Sequence, residues 1–257
     1  MTQSITIKPR DFSWESSMLR RTFVRSFSSV KKKPFKMPDE KPLVFAPPTY
    51  QYEKGSLDTS QVDEDPIVQF KAWFDEAFKV EQIPESVNFA TAELPSGRVS
   101  SRVVLLKELD HRGFIVYSNW DKSKKARDIK SNPQAALTWF WKNLQRQVRV
   151  EGKTEFVDRE TSERYFSTRP RGSQIGAWSS PQSSVIKDRQ ELEDIYKQRE
   201  KQFEGQEKVP CPEYWGGLRI VPLEIEFWQG GASRLHDRVV FRRENEDAEW
   251  QKVRIAP

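Results

Sequence analysis

The chain has 257 residues, enough for one sizeable core, and its 43 Lys and Arg residues outnumber 38 Asp and Glu residues. The positive charge lies in the first 36 residues, which carry a net +7, whereas residues 37–257 carry a net −2. The basic pI of 9.2 therefore does not support a nucleic-acid-binding function. The single cysteine, Cys211, excludes an intramolecular disulfide. With only two histidines it cannot form a usual structural zinc site, so no metal is predicted.

Residues 1–45 are rich in Ser, Lys, Arg and Pro and show no lasting hydrophobic period, which predicts a disordered basic tail. Residues 18–29 are basic, Ser-rich and free of acidic residues, as in a mitochondrial transit peptide, but Asp11 and Glu15 precede them. An ordinary solvated tail is the alternative interpretation. The lone cysteine and the lack of an apolar run near roughly 20 residues predict a cytoplasmic protein, or a mitochondrial one if the tail is a targeting signal.

The rest of the chain, residues 46–257, is predicted to form one domain that begins with an irregular arm at 50–55. A helix starts at Asp65 and Pro66, an N-cap followed by a first-turn proline, and its apolar residues recur at spacings of three and four. Those residues are Ile67, Phe70, Phe74 and Phe78. Further helices are predicted at 123–129, 159–168 and 184–203.

Period-two alternation and turn residues predict many short strands. The predicted strands are 87–94, 99–109, 114–120, 135–141, 145–157, 218–221, 223–228, 234–242 and 250–255. Consecutive strands joined by short turns favour an antiparallel meander that closes into a barrel rather than a parallel sheet. The predicted fold class is therefore mainly β with peripheral helices (α+β).

Three groups of residues could bind anions. Arg102 and Lys107 lie an odd number of positions apart on one predicted strand, so they should face opposite sides and serve two different anions, unless one is a surface residue. Lys124 and Lys125 open a predicted helix, where backbone N–H groups favour an anion, although a solvated surface pair is the alternative interpretation.

The third group is Tyr165, Arg169 and Ser173. Tyr165 and Arg169 are four residues apart on a short predicted helix and share a face. Ser173 follows Pro170 in a predicted turn that could fold back toward them. The three side chains could clamp a phosphate, while a helix-capping role for Ser173 stays open.

A fourth pattern lies near the C-terminus. If residues 234–242 are extended, Arg234, His236 and Arg238 share one face of a strand. Three such groups repel one another unless an anion lies among them, so this pattern predicts either a binding site or a solvated strand face.

The run Ile-Glu-Phe-Trp-Gln, four further residues and Arg-Leu-His-Asp-Arg, at 225–238, resembles the C-terminal motif of the pyridoxine (pyridoxamine) 5'-phosphate oxidase family, in a fungal-like form. The resemblance spans roughly residues 50–257 and includes Arg-Val-Val-Leu-Leu-Lys at 102–107, Arg-Gln-Val-Arg-Val-Glu-Gly at 146–152 and Gln-Ser-Ser-Val-Ile at 182–186. It implies an FMN-binding split β-barrel that forms a homodimer, with residues 215–257 as a C-terminal dimerisation region and FMN at the subunit interface.

The resemblance also implies site residues. FMN contacts carry over to Arg102, Val103, Val104, Leu105, Tyr117, Ser118, Lys124, Lys125, Gln147, Gln182, Ser183, Trp228 and Arg238. Substrate contacts carry over to Lys107, Tyr165, Arg169, Ser173, Arg234, Leu235 and His236, with Tyr52 as a lid residue. Arg234 and His236 are the implied catalytic residues. The chain departs from bacterial relatives at Thr49, where they have an arginine, which leaves the role of the arm open.

The implied reaction is oxidation of pyridoxine or pyridoxamine 5'-phosphate to pyridoxal 5'-phosphate, with hydride transfer to flavin N5 and reoxidation by dioxygen to give hydrogen peroxide. Two alternatives stay open at the level of sequence. One is another flavin-binding split barrel such as a flavin reductase, and the other is a non-catalytic or nucleic-acid-binding barrel.

Overall fold

A computed structural model describes residues 50–257, so the predictions for residues 1–45 and for Thr49 lie outside the described residues. Within residues 50–257 the chain forms eight strands and five α-helices. The strands are β1 Ser86–Glu93, β2 Arg98–Asp110, β3 Gly113–Asn119, β4 Gln134–Trp141, β5 Arg146–Phe156, β6 Trp215–Gln229, β7 Asp237–Arg242 and β8 Gln251–Ile255. The helices are α1 Pro66–Val80, α2 Lys124–Ser131, α3 Arg159–Thr168, α4 Arg171–Ser179 and α5 Arg189–Gln202.

The strands form one antiparallel sheet in the order β3-β2-β1-β4-β5-β6-β7-β8. An additional pairing between β3 and β6 closes the first six strands into a barrel. Short turns such as Pro95-Ser-Gly97, in which Gly97 has φ +66°, connect neighbouring strands. The prediction of a mainly β barrel with peripheral helices is confirmed.

Strand β6 belongs to both the barrel and its extension. Residues 215–220 pair with β3, whereas residues 224–229 pair with β7. The sequence predicted two strands here because Pro222 interrupts the pattern. The structure instead has one continuous strand, since Pro222 lies opposite a register shift between Glu151 and Gly152 of β5. A bulge accommodates a residue without an N–H, so the strand changes partners without ending.

The core fills the barrel with alternate residues of each strand. Val148 and Val150 of β5 and Ile225 and Phe227 of β6 are completely buried, as their alternation predicted. Helix α1 closes the barrel with Phe70 and other apolar residues, and Asp65 caps it by accepting from Ile67 N at 2.7 Å. The predicted stripe was wrong at one position: Phe78 is 70% exposed, because the buried face turns through Trp73 and Ala77 instead.

The helices near the middle of the chain differ from the prediction in two places. Helix α4 was not predicted, since its two glycines obscure any apolar stripe. Ser173 therefore lies on a helix rather than in the predicted turn. Helix α5 begins at Arg189, five residues later than predicted. Ser183 has φ +67°, and the Asp188 side chain caps the helix by accepting from Glu191 N. None of the helices between residues 50 and 257 is long and apolar enough to cross a membrane.

The bulge between β5 and β6 yields a stability prediction. A Cβ at Gly152 would lie 2.1 Å from the Val221 carbonyl oxygen, whereas a Cβ at Gly176 on α4 meets nothing within 4 Å. We expect Gly152→Ala to lower the free energy of unfolding by about 2 kcal/mol or more, since the backbone must shift. Gly176→Ala should raise it by about 0.5–1 kcal/mol. Denaturant titration of both variants measures the difference, and equal stabilities would contradict the assigned packing at the bulge.

Candidate functional site

A cleft of about 450 Å³ lies between β2, β3 and the helices α3 and α4. The predicted phosphate clamp, Tyr165, Arg169 and Ser173, lines it together with Lys107, another predicted substrate contact. Three residues predicted to contact the cofactor also line it, namely Val104, Leu105 and Tyr117. The structure therefore brings together residues that are up to about 70 positions apart in the chain.

Arg169, at the end of α3, supplies the cleft with positive charge. Its guanidinium lies 4.8 Å from the centre of the Trp215 ring and 5.6 Å from that of Phe166. Its Nη1 atom is buried and has no hydrogen-bond partner within residues 50–257. Burial also lowers the pKa of Arg169. A buried guanidinium with an unused donor is the arrangement that an anionic oxygen would satisfy.

Three aromatic rings form one wall of the cleft. Tyr117 stacks on Tyr165 with ring centres 4.0 Å apart, and Trp215 stacks on Tyr117 at 5.4 Å. Burial raises the pKa of both tyrosines, and the charge of Glu108 adds to the effect at Tyr117. Both hydroxyls therefore stay protonated at neutral pH and can donate hydrogen bonds. The wall suits a flat, apolar ring.

Ser173 lies in the first turn of α4, where its N–H donates to the Pro170 carbonyl at 2.8 Å. Pro170 is the N-cap of this helix, and no side chain makes a capping hydrogen bond there. Ser173 is therefore not a helix cap, which was the alternative interpretation. Its hydroxyl is one of the groups that line the cleft.

Arg102 and Lys107 lie in separate surroundings. Exposure alternates along β2 from Ser100 to Lys107, as the odd spacing of the two residues predicted, and the register against β3 shifts only between Leu106 and Glu108. Lys107 lines the cleft and lies 3.6 Å from Glu85. Arg102 instead donates from Nη1 to the Phe89 carbonyl at 3.0 Å and from Nη2 to Ser100 Oγ at 2.6 Å.

Arg102 belongs to a cluster of three cations, two of which pair with the buried carboxylate of Asp128. Its guanidinium lies 3.9 Å from Asp128, and Lys124 also hydrogen-bonds Asp128. The ammonium of Lys125 contacts the amide oxygen of Gln182 at 2.5 Å. Burial, followed by repulsion from Arg102, lowers the pKa of Lys125 to about 8. This excess of buried positive charge would be relieved by a bound anion.

The loop before α5 joins this cluster. Gln182 accepts from Ser118 Oγ at 3.4 Å as well as from Lys125, and Ser183 Oγ accepts from the Lys124 N–H at 3.2 Å. The first turn of α2, capped by Ser123, therefore lies beside two hydroxyls and two lysines. Backbone donors at a helix N-terminus together with lysines and hydroxyls are typical of phosphate sites.

A second group of predicted site residues lies where β6 leads into β7. The Trp228 and His236 rings have centres 4.7 Å apart, and Tyr52 lies edge-on to both, at 5.2 Å and 5.3 Å. Nδ1 of His236 accepts from the Gly231 N–H at 3.1 Å. The neutral ring therefore carries its proton on Nε2, which remains available to a ligand.

The prediction that Arg234, His236 and Arg238 share a strand face was wrong. Strand β7 begins only at Asp237, and Ala232–Arg234 form a 3-10 turn in which Arg234 has φ +63°. The turn is so tight that it leaves no room for a side chain at Gly231, where a Cβ would lie 2.3 Å from the Leu235 carbonyl oxygen. Arg234 and Leu235 are exposed on this turn, and Arg238 alone of the three predicted residues lies in the strand.

Arg238 is oriented by a buried carboxylate. Glu226 accepts from Arg238 Nε at 3.1 Å and from its Nη2 at 2.7 Å, and it also accepts from Arg149 Nη1 at 3.1 Å. The side chain of Glu226 is 3% exposed, so this two-pronged contact is strong. Gln147, Trp228 and Arg238 pair across β5, β6 and β7 in one row.

Within one chain these two groups do not form a single site. The cleft and the cationic cluster involve β2 and β3, and β3 pairs only with residues 215–220 of β6. Trp228 lies at the other end of β6, next to Arg238 of β7. The outward face of β2 and β4 also exposes large apolar side chains. These are Val99, Val103, Leu105 and Phe140, all at least 40% exposed. Such a patch is typical of a protein interface.

Several residues that support the site carry no clear signal in the sequence. Trp215 stacks in the cleft but lies outside the predicted strand 218–221 and outside the predicted anion-binding groups. Asp128 could have been found from its position four residues after Lys124 on a helix. Glu226 lies inside the C-terminal motif, yet alternation predicts only that it faces away from the core. Its contact with Arg238 depends on pairing between strands.

Sequence comparison finds relatives over most of the chain. Residues 75–202 match the family described as pyridoxamine 5'-phosphate oxidase, and residues 215–257 match the pyridoxine 5'-phosphate oxidase C-terminal dimerisation region. The chain is 62% identical over 220 residues to the pyridoxamine 5'-phosphate oxidase of Saccharomyces cerevisiae, which covers 85% of this chain and 96% of that protein. A Schizosaccharomyces pombe protein named "Probable pyridoxamine 5'-phosphate oxidase" is 59% identical over 220 residues, covering 84% and 95%.

Among solved structures, PhzG from Burkholderia lata, in complex with tetrahydrophenazine-1-carboxylic acid, resembles the fold with a TM-score of 0.71. It is 25% identical and covers 79% of this chain and 100% of that chain. The fold and the cleft thus define a split-barrel enzyme with two clusters of buried positive charge. The matched family regions and the fungal relatives make the identity more specific: the chain belongs to the pyridoxamine 5'-phosphate oxidase family.

The cationic cluster predicts that anion affinity depends on pH. Lys125 is charged below its pKa of about 8, and an anion binds the charged form, so affinity should fall as pH rises above that value. For FMN we expect the Kd to increase by up to about tenfold per pH unit above 8, as linkage to one proton requires. Titrations at several values between about pH 6.5 and 9.5, followed by the quenching of flavin fluorescence, measure this Kd.

Lys125→Arg is the matched control, because a guanidinium remains charged throughout this range. Its Kd for FMN should change little with pH. If the parent chain and this variant have the same pH profile, Lys125 is not the group responsible.

Proposed function

We propose that the chain oxidises pyridoxine 5'-phosphate and pyridoxamine 5'-phosphate to pyridoxal 5'-phosphate, with FMN as cofactor and dioxygen as oxidant. The observation that carries this proposal is a pair of neighbouring anion sites. One is Arg169 in an aromatic cleft, whose buried Nη1 has no hydrogen-bond partner among residues 50–257, and the other is the cluster around Lys125. A phosphorylated substrate and a phosphorylated cofactor need two such sites side by side. The names of the fungal relatives agree with this choice of substrate.

The residues present fit FMN. Arg102, Lys124 and Lys125 carry three positive charges against two carboxylates, Asp128 and Glu93, and Ser183 adds a hydroxyl beside the first turn of α2. These groups would hold the FMN phosphate. The exposed Val103 and Leu105 and the neutral Tyr117 would then lie along the rest of the cofactor.

Three other predicted FMN contacts, Gln147, Trp228 and Arg238, lie on strands beyond β1 and β4. We infer that a second copy of the chain supplies them, so that the complete site forms in a homodimer. The match of residues 215–257 to a dimerisation region supports this inference, since that segment contains Trp228 and Arg238. The apolar outward face of β2 and β4 provides a surface that a second copy could cover.

In the substrate cleft, Arg169, Tyr165, Ser173 and Lys107 would hold the phosphate and fix the pyridine ring. Bound FMN would supply the redox chemistry, by accepting a hydride from the substrate C4' and passing the electrons to dioxygen to give hydrogen peroxide. Arg234 and His236 would orient the ring and its substituents, with Leu235 as an apolar contact. His236 can donate from Nε2, because Gly231 occupies Nδ1. Positioning is therefore the main contribution of the protein.

The clamp yields a prediction for substrate affinity. Arg169→Ala removes a charge-assisted hydrogen bond, which should cost about 1.5–3 kcal/mol and raise the Kd for pyridoxal 5'-phosphate by roughly ten- to a hundredfold. The Kd for FMN should stay unchanged, because the cationic cluster is separate. Isothermal titration calorimetry measures both constants.

Arg171→Ala is the matched control. Arg171 is exposed on α4 and donates to the Phe203 carbonyl rather than into the cleft. Its variant should bind both ligands as the parent chain does. Loss of FMN affinity in Arg169→Ala would mean that the two anion sites have been assigned to the wrong ligands.

An absorbance spectrum of the FMN-loaded protein tests the function directly. Anaerobic addition of pyridoxine 5'-phosphate should bleach the flavin band, and air should restore it and leave pyridoxal 5'-phosphate. A flavin band that does not respond would favour another flavin-binding split barrel, such as a flavin reductase. No flavin binding even after reconstitution would favour a non-catalytic barrel. The net charge of −2 on residues 37–257 does not support a nucleic acid as the ligand of such a barrel.

A further inference from the structure

Residues 50–57 precede the first helical turn and lie against the end of β6. Their central side chain is Tyr52, which contacts the rings of Trp228 and His236 edge-on. Gly230 leaves the space that this ring occupies, since a Cβ there would lie 2.6 Å from Tyr52 Cδ1. Tyr52 can therefore support these two rings only while segment 50–57 stays in place.

A buried amide on the neighbouring turn binds this segment at three points. Gln145, between β4 and β5, is 5% exposed. Its Oε1 accepts from the backbone N–H of Glu53 at 2.8 Å and of Lys54 at 2.9 Å. Its Nε2 donates to the Tyr50 hydroxyl at 2.8 Å. One side chain thus satisfies donors and an acceptor on both sides of Tyr52.

The backbone of Gln145 also binds Gly230, on which the Tyr52 ring packs. Its carbonyl accepts from the Gly230 N–H at 2.9 Å, and Gly230 is the residue against which Tyr52 packs. Gln145 also has φ +53°, an uncommon conformation for a residue with a side chain. Strained, buried and fully hydrogen-bonded residues of this kind cluster at functional sites.

We propose that Gln145 is a positioning residue, which holds segment 50–57 so that Tyr52 fixes Trp228 and His236. The far end of the segment has its own contact, from the Leu57 N–H to Asp237 Oδ2 at 2.8 Å. Near Tyr52, Lys54 Nζ also donates to the Asn143 carbonyl at 2.7 Å, whereas Gln145 binds the backbone on one side of Tyr52 and the Tyr50 hydroxyl on the other. This inference rests on the proposed function in one respect: the substrate effect requires Tyr52 and His236 to border the substrate.

The first test measures whether the segment is held, without using activity. Trypsin cleavage after Lys54 requires local release of the backbone that Gln145 binds. In the FMN-loaded full chain, Gln145→Ala should increase the rate of this cleavage at least about tenfold relative to the parent. A net loss of one to two hydrogen bonds makes local release of the segment more frequent by about this factor. Mass spectrometry of the fragment that begins at Gly55 measures the rate.

Asn143→Ala is the matched control on the same turn. Its side chain donates to the Val80 carbonyl and to Glu81 rather than to segment 50–57. It should be cleaved at the parent rate, and its thermal midpoint reports any general loosening of the turn. Equal cleavage rates in Gln145→Ala and the parent chain would overturn the proposal, whatever the substrate is.

The second test separates positioning from stability by kinetics. Gln145→Ala should raise the KM for pyridoxine 5'-phosphate at least about fivefold with a kcat within about twofold of the parent, because it weakens substrate positioning rather than the chemical step. Gly230→Ala, which keeps Gln145 but displaces the Tyr52 ring, should show the same split. Faster cleavage with an unchanged KM in both variants would overturn the positioning role. If the parent chain does not oxidise this substrate, the proposed function fails, while the cleavage rates still decide whether Gln145 holds the segment.

Discussion

The rest of the structure depends on the change of partners within β6. Residues 215–220 pair with β3 and close the barrel, and residues 224–229 pair with β7 and carry the motif that contains Trp228. A proline is accommodated in the middle of this strand where the register against β5 shifts, with Leu223 as the extra residue beside the Pro222–Gly152 pair. The same backbone pairing that closes the core therefore directs two separate sets of site residues, with Trp215 at one end of the strand and Trp228 at the other.

Both parts of the site rely on charges that the protein does not neutralise by itself. In the cleft, Arg169 is covered by aromatic rings and keeps a buried donor without a partner within the described chain. Beside Asp128, which pairs with Arg102 and Lys124, burial and the charge of Arg102 lower the pKa of Lys125. Glu226 is the opposite case, because it fully engages Arg238 and so fixes a guanidinium rather than leaving it free. Buried charge without a partner costs stability and is retained where a ligand offsets it.

Much of the fold could be predicted from local pattern. Alternation identified the inward faces of β5 and β6, the cap Asp65 marked the start of α1, and the helices predicted at 123–129 and 159–168 correspond to α2 and α3. The failures also have physical reasons. Helix α4 has no apolar stripe of its own and is held by packing of Ile175 in a small core beside the barrel. The turn before β7 depends on left-handed residues at Ser233 and Arg234, which no composition rule requires.

For the site, the sequence by itself determined the residue types and the family motif, because a motif is a linear pattern. It supplied Arg169, Lys125, Trp228 and His236 as candidates without giving their distances. Only the tertiary structure decided that Arg169 lies in a cleft beside β2 and β3, and that the Trp228 and His236 rings meet where β6 leads into β7. It alone revealed that Asp128 binds Arg102 and Lys124, and that Glu226 orients Arg238. Strand pairing brings together residues far apart in the chain, and the register of that pairing is a property of the whole sheet rather than of any one segment.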